Sequence, residues 1–372
     1  MTTTLQDQGS SRTPQATVPE GQRVALERLP AVDVFRGLAI LAVVVHHLSG
    51  QALRHASAGS TLHLALAVLN RTTHFVVPAF VFMTALVLTR SARRRFRLGE
   101  YYRARIRTAL VPYLLWTVLY VVFRVATGQD RPDALGDPER WRVWLQYGKG
   151  YFHLYFLLIV LQFYLVLPLL LPLWRRRPPF AAVLLGACTA QLLVYFLNRA
   201  GALNFRFPGT MALWYLLPIT LGMYFGAYEG AFERFWHLRW RWLLAAATLA
   251  LAWYLPISLA QLGGAPVNTL AYSAANWTYT TVTALGLFGV AHALAAASTW
   301  WSSSLRQLGN LSLQVYLLHP VALLYLERWG FPGNSGWFAL VVLGYAVIAI
   351  GFPALLAQLL ARTPVSRWLF GR

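Results

Sequence analysis

Charged residues are scarce in this sequence: they make up 12% of it, whereas a soluble globular protein has roughly 25%. A soluble domain of this size needs such charges to keep its surface in water, so their scarcity argues against a soluble protein. Hydrophobic residues make up 58% of the chain. They fall in blocks about as long as a bilayer-spanning helix, ~20 residues. The composition therefore predicts an integral membrane protein that is surrounded by lipid.

Cysteine and acidic residues are also scarce. Cys188 is the only cysteine, which excludes an intramolecular disulfide and argues against a structural zinc site, so we expect no bound metal. The 12 Asp and Glu residues all fall in tails, in loops or at the edges of apolar blocks. The lack of a carboxylate deep in the membrane argues against a proton-coupled transporter and against a Ser-His-Asp arrangement.

The formal net charge is +20, which in a soluble protein would suggest nucleic-acid binding. Here the arginines lie in short loops between apolar blocks, as membrane topology requires, so we expect a lipid bilayer and no nucleic acid as partner. Residues 1–30 are polar and contain no apolar segment of the kind found in signal peptides. They are predicted to form a disordered cytoplasmic tail.

Ten apolar blocks follow, and each is predicted to be a helix, because lipid cannot satisfy free backbone amides and the blocks lack the alternation of a membrane β-barrel. The predicted fold is an all-α, polytopic membrane domain over residues 31–361, followed by a cytoplasmic C-terminal tail over residues 362–372. The ten blocks are 32–50, 72–90, 107–127, 152–173, 179–197, 210–228, 241–262, 273–297, 308–327 and 337–361.

The distribution of arginine predicts the orientation of these helices. Residues 90–107, between the second and third blocks, include eight arginines, and residues 175–177 are three arginines in succession. Loops of the opposite parity are poorer in arginine, and the longest of them, 128–150, also contains acidic residues. By the positive-inside rule both termini are cytoplasmic, and we expect a multi-pass protein of the inner (plasma) membrane.

Arg36, His46 and His47 lie inside the first apolar block, where ionisable residues are costly and mark functional sites by default. Arg36 and His47 share one face of the predicted helix, about 16 Å apart along its axis, because the helix turns ~100° per residue; His46 lies off that face. This spacing suits a long donor whose charged end stays near the cytoplasm. The alternative is that Arg36 only extends to the interface and His47 is a packing residue.

Five segments resemble, in the same order, the acyltransferase-3 family of bacterial membrane acyltransferases, and together they span nearly all of residues 31–361. The first looks like the family's Arg-x10-His signature, and the last is similar to its Ser-x3-Tyr-Leu-x-His-Pro segment. In the second segment Thr84-Ala85 stands where the family usually has Ser-Gly. The segments are 36–47, 77–85, 101–113, 151–156 and 308–320.

The resemblance implies an O-acyltransferase that takes an acyl group, most simply acetyl, from cytoplasmic acyl-CoA. The implied acceptor is a hydroxyl of a carbohydrate, a cell-envelope glycan or a secondary metabolite. The expected form is a stand-alone one without an appended extracytoplasmic domain. The expected catalytic residues are Arg36 and His47. The proton acceptor of the two is His47, since a neutral imidazole can take a hydroxyl proton near pH 7. It could act as a general base or briefly carry the acyl group, and the sequence does not separate these roles.

The remaining candidates divide between donor and acceptor. Arg36, Arg105 and Arg107 are expected to bind the phosphates of coenzyme A, because guanidinium groups match phosphate geometry. Histidines of the fourth and ninth blocks are predicted at a depth similar to that of His47, as a shared cavity would require. The alternative for these side chains is that they satisfy the interface or hold helices together. The candidate substrate-binding residues are His153, Tyr155, Ser312, Tyr316 and His319.

A polytopic transporter or exporter of a lipid-linked glycan or small molecule is the competing function. The alignment of Arg36 with His47 favours the enzyme. So does the lack of a nucleotide-binding Walker motif, of a visible inverted repeat and of a buried acid. The acceptor and the length of the acyl chain stay open at this level.

Overall fold

The computed structural model describes residues 29–297, 299–333 and 335–371. Residues 1–28, nearly all of the predicted N-terminal tail, lie outside the described residues. The described parts of the chain are built from helices and contain no β-strand, which confirms the predicted all-α class.

The helices are numbered here in chain order over the described residues. They are α1 (Pro30–Leu53), α2 (Thr61–Thr72), α3 (Val76–Arg94), α4 (Leu98–Arg105), α5 (Val111–Ala126), α6 (Pro138–Tyr147), α7 (Tyr155–Leu170), α8 (Phe180–Arg199), α9 (Leu216–Ala227), α10 (Ala231–Leu262), α11 (Thr269–Ala296), α12 (Trp300–Asn310), α13 (Ser312–Trp329), α14 (Ser335–Leu360) and α15 (Ser366–Phe370).

Eight helical segments of the described chain are long and apolar enough to cross a membrane, and they match eight of the ten predicted spans. Some are longer than predicted, because short turns join α2 to α3 and α4 to α5 into continuous segments. The predicted spans 210–228 and 308–327 correspond to a shorter apolar segment, Ala212–Ala227, and to α13. The polytopic architecture is therefore confirmed, with two of its helices differing from ordinary spans.

Helix α13 differs because protein surrounds most of it. More than half of its residues are buried, and His319 has no exposed surface at all. The Gln51 side chain of α1 donates hydrogen bonds to the backbone oxygen of Leu323 (3.1 Å) and to the Glu327 carboxylate (2.7 Å) of α13. A helix packed inside a bundle can carry polar groups that lipid would not tolerate, since those groups pair with neighbouring helices.

Helix α1 lies at the centre of the bundle, in contact with α2, α3, α11, α12, α13 and α14. Its approach to α12 is very close: a Cβ on Gly37 would lie 2.2 Å from the Leu305 backbone oxygen, and one on Gly309 would lie 1.8 Å from that of Asp33. Residues without a side chain allow two helix backbones to meet in this way. The contact fixes the end of α1 that carries Arg36.

A second close contact joins α9 to α3. Cβ atoms on Gly222 and Gly226 would lie 2.3 Å and 2.2 Å from the backbone oxygens of Phe82 and Leu86. The two glycines form a GxxxG pattern, which brings membrane helices together. Helix α3 is therefore held between α9 and the central helix α1.

The predicted C-terminal tail includes an ordered element. Helix α15 packs against α5, where the indole nitrogen of Trp116 donates a hydrogen bond to the Leu369 backbone oxygen at 2.7 Å, and Phe370 is buried. The last residues of the chain thus close the arginine-rich end of the bundle beside the π-helical turn Ile106–Leu110.

Candidate active site

Two cavities open at the two ends of α1. The first, about 990 Å³, is lined by Arg36 of α1 and by the arginine-rich residues around the α3–α4 connection. The second, about 420 Å³, is lined by His46 and His47 of the same helix. We call them the inner and outer cavities, following the orientation predicted from arginine. The central helix thus presents one of its two predicted functional residues to each cavity.

Four of the six arginines that line the inner cavity pair with acids, two arginines to each acid. Arg90 and Arg94 both pair with Glu229, at 2.6 Å and 2.8 Å. Arg97 pairs with Glu100 at 2.8 Å. These arginines and Glu100 line the cavity, so its wall is strongly polar.

Arg105 also lines the inner cavity, but it has a different environment. Its guanidinium group lies between two rings, 5.4 Å from the centroid of Tyr101 and 5.2 Å from that of Tyr164. Among the described residues no carboxylate pairs with Arg105, and its Nε atom is buried without a hydrogen-bond partner. The rings hold the group in place while its charge stays available to a bound anion.

The three predicted donor-binding arginines are not equivalent. Arg36 and Arg105 line the same cavity, as one binding site for coenzyme A phosphates would require. Arg107 is exposed, within the π-helical turn, and lies outside the lining of that cavity.

His47 belongs to a cluster of rings at the other end of α1. Its ring stacks on that of His319, with centroids 5.4 Å apart and planes at 26°. Phe152 lies 4.7 Å from it and His46 lies 5.2 Å from it, centroid to centroid. Within the described parts of the chain His47 makes no hydrogen bond to protein, so its ring nitrogens remain available to a substrate that enters the outer cavity.

The hydrogen bonds of His319 define its tautomer. Its Nδ1 atom lies 2.8 Å from the backbone oxygen of Tyr316 and 3.1 Å from that of Val315. A carbonyl oxygen only accepts, so Nδ1 carries a proton. The Nε2 atom is buried without a partner. An unpaired N–H⁺ there would be costly, so the neutral ring with a lone pair on Nε2 is favoured.

His153 is fixed by tyrosines. The Tyr316 hydroxyl donates to the backbone oxygen of His153, and the rings of Tyr120 and Tyr316 lie 4.9 Å and 5.1 Å from its ring. Both ring nitrogens of His153 are buried without a partner, and its ring centroid is 5.8 Å from that of His319. His47, His153 and His319 therefore form one cluster of rings, and of these three His47 lines the outer cavity.

His46 is fixed to the neighbouring helix. Its Nδ1 atom donates to the backbone oxygen of Asn70 at 2.9 Å, and the Asn70 amide donates back to the His46 backbone oxygen at 2.8 Å. Such a reciprocal pair is what a structural residue makes, although the ring also borders the outer cavity.

The other three acceptor-side candidates, Tyr155, Ser312 and Tyr316, differ in whether they border the outer cavity. Tyr155 lines the outer cavity. Ser312 is buried at the start of α13 and is not part of that lining, so nothing brings it to the histidine cluster. Tyr316 acts through its hydrogen bond to His153 and likewise does not border the cavity.

Sequence reasoning missed most of the outer cavity. His74 lies 5.4 Å from His46, centroid to centroid, and lines the cavity from the turn before α3. The rest of the wall comes from the α8–α9 connection, from α11 and from the loop before α7, which are far apart in sequence and share no periodicity. These residues include Lys149, Arg206, Phe207, Trp214, Tyr215, Asn276 and Trp277.

The charge of this wall is positive. Lys149 and Arg206 line the outer cavity, and none of its lining residues is acidic. Partial burial lowers the pKa of the Lys149 amine. No group of three or more His, Cys, Asp or Glu residues that could hold a metal ion occurs within the described ranges.

The fold and the two cavities define the class: an all-helical membrane protein in which one helix borders an arginine-rich cavity at one end and a histidine-containing cavity at the other. A family model described as an acyltransferase domain matches residues 29–357. The chain therefore belongs to the acyltransferase-3 family and is a membrane acyltransferase. The comparisons with curated proteins and with solved structures found no match.

Proposed function

We propose that this protein transfers an acyl group, in the first instance acetyl, from acyl-CoA in the inner cavity to a hydroxyl group in the outer cavity. The acceptor is a carbohydrate, a cell-envelope glycan or a secondary metabolite. The observation that carries the proposal is that α1 places Arg36 in the wall of one cavity and His47 in the wall of the other.

The inner cavity suits the donor. Coenzyme A carries several phosphates, and Arg105 offers a guanidinium group that is held by two tyrosine rings and not neutralised by a carboxylate among the described residues. Arg36 adds a second positive group to the same wall. Arg90 and Arg94 contribute less, because Glu229 already pairs with both.

Apolar side chains of α1 lie between Arg36 and the histidines. Ile40 and Val43 lie on the face that Arg36 and His47 share, and both are buried. The distance from Arg36 to His47 along the helix axis is about 16 Å, which the slim pantetheine arm can span while the nucleotide stays behind. The thioester then meets the acceptor beside His47.

The proposed chemistry needs one proton carrier. The neutral His47 ring takes the proton of the acceptor hydroxyl as its oxygen attacks the thioester carbonyl. When the carbon–sulfur bond breaks, the proton passes from His47 to the departing sulfur, which gives the ester and free CoA. Transfer through an acyl-imidazole on His47 would yield the same products.

His319 supports this role of His47. An imidazolium that forms on His47 would lie 5.4 Å from the His319 ring. A neutral His319, whose Nδ1 proton is held by two carbonyl groups, avoids a second positive charge at that distance.

The test uses purified protein in detergent, supplied with acetyl-CoA and a panel of soluble glycans, with free CoA and acetylated product measured together. Wild type should release CoA only when a hydroxyl acceptor is present. His47→Ala should lose both signals, whereas His237→Ala, at an exposed histidine of α10, should keep them. The proposal fails if wild type neither binds nor consumes acetyl-CoA, or if His47→Ala acetylates normally.

A further inference from the structure

Two positive side chains border the outer cavity and face the same ring. The Lys149 amine lies 4.6 Å and the Arg206 guanidinium 5.4 Å from the centroid of Phe207. Lys149 precedes α7 and Arg206 lies in the α8–α9 connection, so two separate segments bring these charges together.

No carboxylate balances this pair. The lining of the outer cavity contains no Asp or Glu, and within the described residues neither cation forms an ion pair. Three of the four acids of the nearby 128–150 segment pair with other residues instead. Asp130 binds Arg124 at 2.8 Å and Arg140 at 2.9 Å.

The other ion pairs of that segment are also formed with arginines that do not line the outer cavity. Asp137 lies 3.4 Å from Arg140, and Glu139 lies 2.7 Å from Arg142. These acids therefore pair with arginines of the same region and not with Lys149 or Arg206. Lys149 and Arg206 are left as the charged groups of a cavity whose other walls are aromatic rings, histidines and amide groups.

We infer from this arrangement that the outer cavity binds an acceptor that carries an anionic group, and that Lys149 and Arg206 hold that group. This inference rests on the proposed function and adds the chemical class of its acceptor. A carboxylate or a phosphate fits, since both accept charge-assisted hydrogen bonds from ammonium and guanidinium groups. The aromatic rings of Trp214, Tyr215 and Trp277 offer apolar surface to the rest of the molecule.

The anion has two sources with the same chemistry. It can be a carboxylate on an acidic sugar, or the phosphate of a lipid carrier linked to a sugar. In either case the anion is held at one wall while a hydroxyl of the same molecule reaches His47 at another. Both side chains are exposed at the surface of the cavity, so their attraction for such a group depends on ionic strength.

The test measures binding to the purified full-length protein, so that it does not depend on turnover. Three fluorescently labelled probes that share one linker are compared at low salt: a neutral glucoside, a glucuronoside, and glucose linked through phosphate to a short prenyl chain. We expect at least one anionic probe to bind about ten-fold more tightly than the glucoside, which is ~1.4 kcal/mol. A preference for the glucuronoside assigns the anion to the sugar, and one for the prenyl phosphate assigns it to the carrier.

Variants test whether the two cations cause the preference. Lys149→Gln combined with Arg206→Gln should bring the anionic probes down to the affinity of the glucoside. Arg131→Gln, an exposed cation of the same segment that does not line the cavity, should leave the preference unchanged. Equal binding of all probes to wild type, no binding of any of them, or a preference that survives in the double variant would overturn the inference.

Acetyl-CoA binding, measured on the same preparations, keeps the two proposals apart. The double variant and Arg131→Gln should both bind acetyl-CoA as wild type does, because none of the three residues lines the inner cavity. Normal acetyl-CoA binding without an anion preference refutes the acceptor class alone, whereas absent acetyl-CoA binding refutes the proposed function.

Discussion

The inner and outer cavities border the same helix but differ in whether their positive side chains pair with acids. The inner one, about 990 Å³, is lined by six arginines, four of which pair with acids. The outer one, about 420 Å³, has two cations, no acid and a cluster of histidines. An arginine that already pairs with an acid is less available to a ligand, so the cations without such a partner indicate where a ligand binds. In the inner cavity that cation is Arg105.

Buried polar atoms without a hydrogen-bond partner occur near both cavities. The histidine cluster leaves both ring nitrogens of His153 and the Nε2 atom of His319 without partners. A buried polar group without a hydrogen bond costs about 1–3 kcal/mol. The rings of His153 and His319 do not border the outer cavity, whereas Arg90 and Arg105, whose Nε atoms are also unpaired, line the inner one.

The largest expected effect is at His47. His47→Ala should lower kcat by about 100-fold or more, the range that general acid–base catalysis contributes. His46→Ala should cost at least ten-fold less than that, a difference of about 1.4 kcal/mol, because the His46 ring is occupied with Asn70. Free CoA release in the presence of acceptor measures both. Equal losses, or a larger one for His46→Ala, would contradict the assignment.

An intermediate effect is expected at the donor site. Arg36→Ala and Arg105→Ala should each raise the KM for acyl-CoA by about ten-fold, ~1.4 kcal/mol, and high salt should weaken donor binding to wild type. Arg107→Ala should change the KM less, because Arg107 lies outside the cavity lining.

Titration of acyl-CoA against each purified variant gives these constants. If Arg36→Ala and Arg105→Ala both keep a normal KM, the arginine-rich segment serves membrane topology only. If Arg107→Ala has the largest effect, the donor binds outside the inner cavity.

The smallest effect is expected at Tyr316. Tyr316→Phe removes the hydrogen bond to the His153 backbone oxygen, which should cost about 1 kcal/mol of stability and reduce kcat a few-fold with an unchanged donor KM. Tyr345→Phe is the matched control, since the Tyr345 hydroxyl donates to the backbone oxygen of Gly330 at 2.8 Å away from both cavities. If both variants lose a similar amount of stability but only Tyr316→Phe loses kcat, Tyr316 positions His153. Equal activity of the two variants would reduce Tyr316 to a residue that holds helices together.

The membrane architecture could be predicted from the sequence, as could the placement of Arg36 and His47 on one face of α1. Each depends on local periodicity. Apolar blocks of sufficient length identify the spans, and the helical repeat places Arg36 and His47 on one face. Helix α13 escapes this reasoning in part, because its burial depends on neighbours that are distant in sequence.

The wall of the outer cavity could not be predicted for a related reason. His74, Lys149, Arg206 and Trp277 come from four separate parts of the chain, and no repeat or spacing relates them. Only the packing of α11 against α1, and of the α8–α9 connection against α7, brings them together. The same holds for Arg105, whose availability depends on two tyrosine rings and on the acids that pair with its neighbours.

The central claim is that donor and acceptor enter from opposite sides of the membrane, and sealed inside-out vesicles test it most directly. These vesicles expose the cytoplasmic face, so acyl-CoA is added outside, and an impermeant acceptor is either trapped in the lumen or added outside. The account predicts that acyl-CoA is consumed, and the acceptor acylated, only when the acceptor is in the lumen. Full activity with acceptor added on the cytoplasmic side would contradict it, and would mean that the substrate is modified before export.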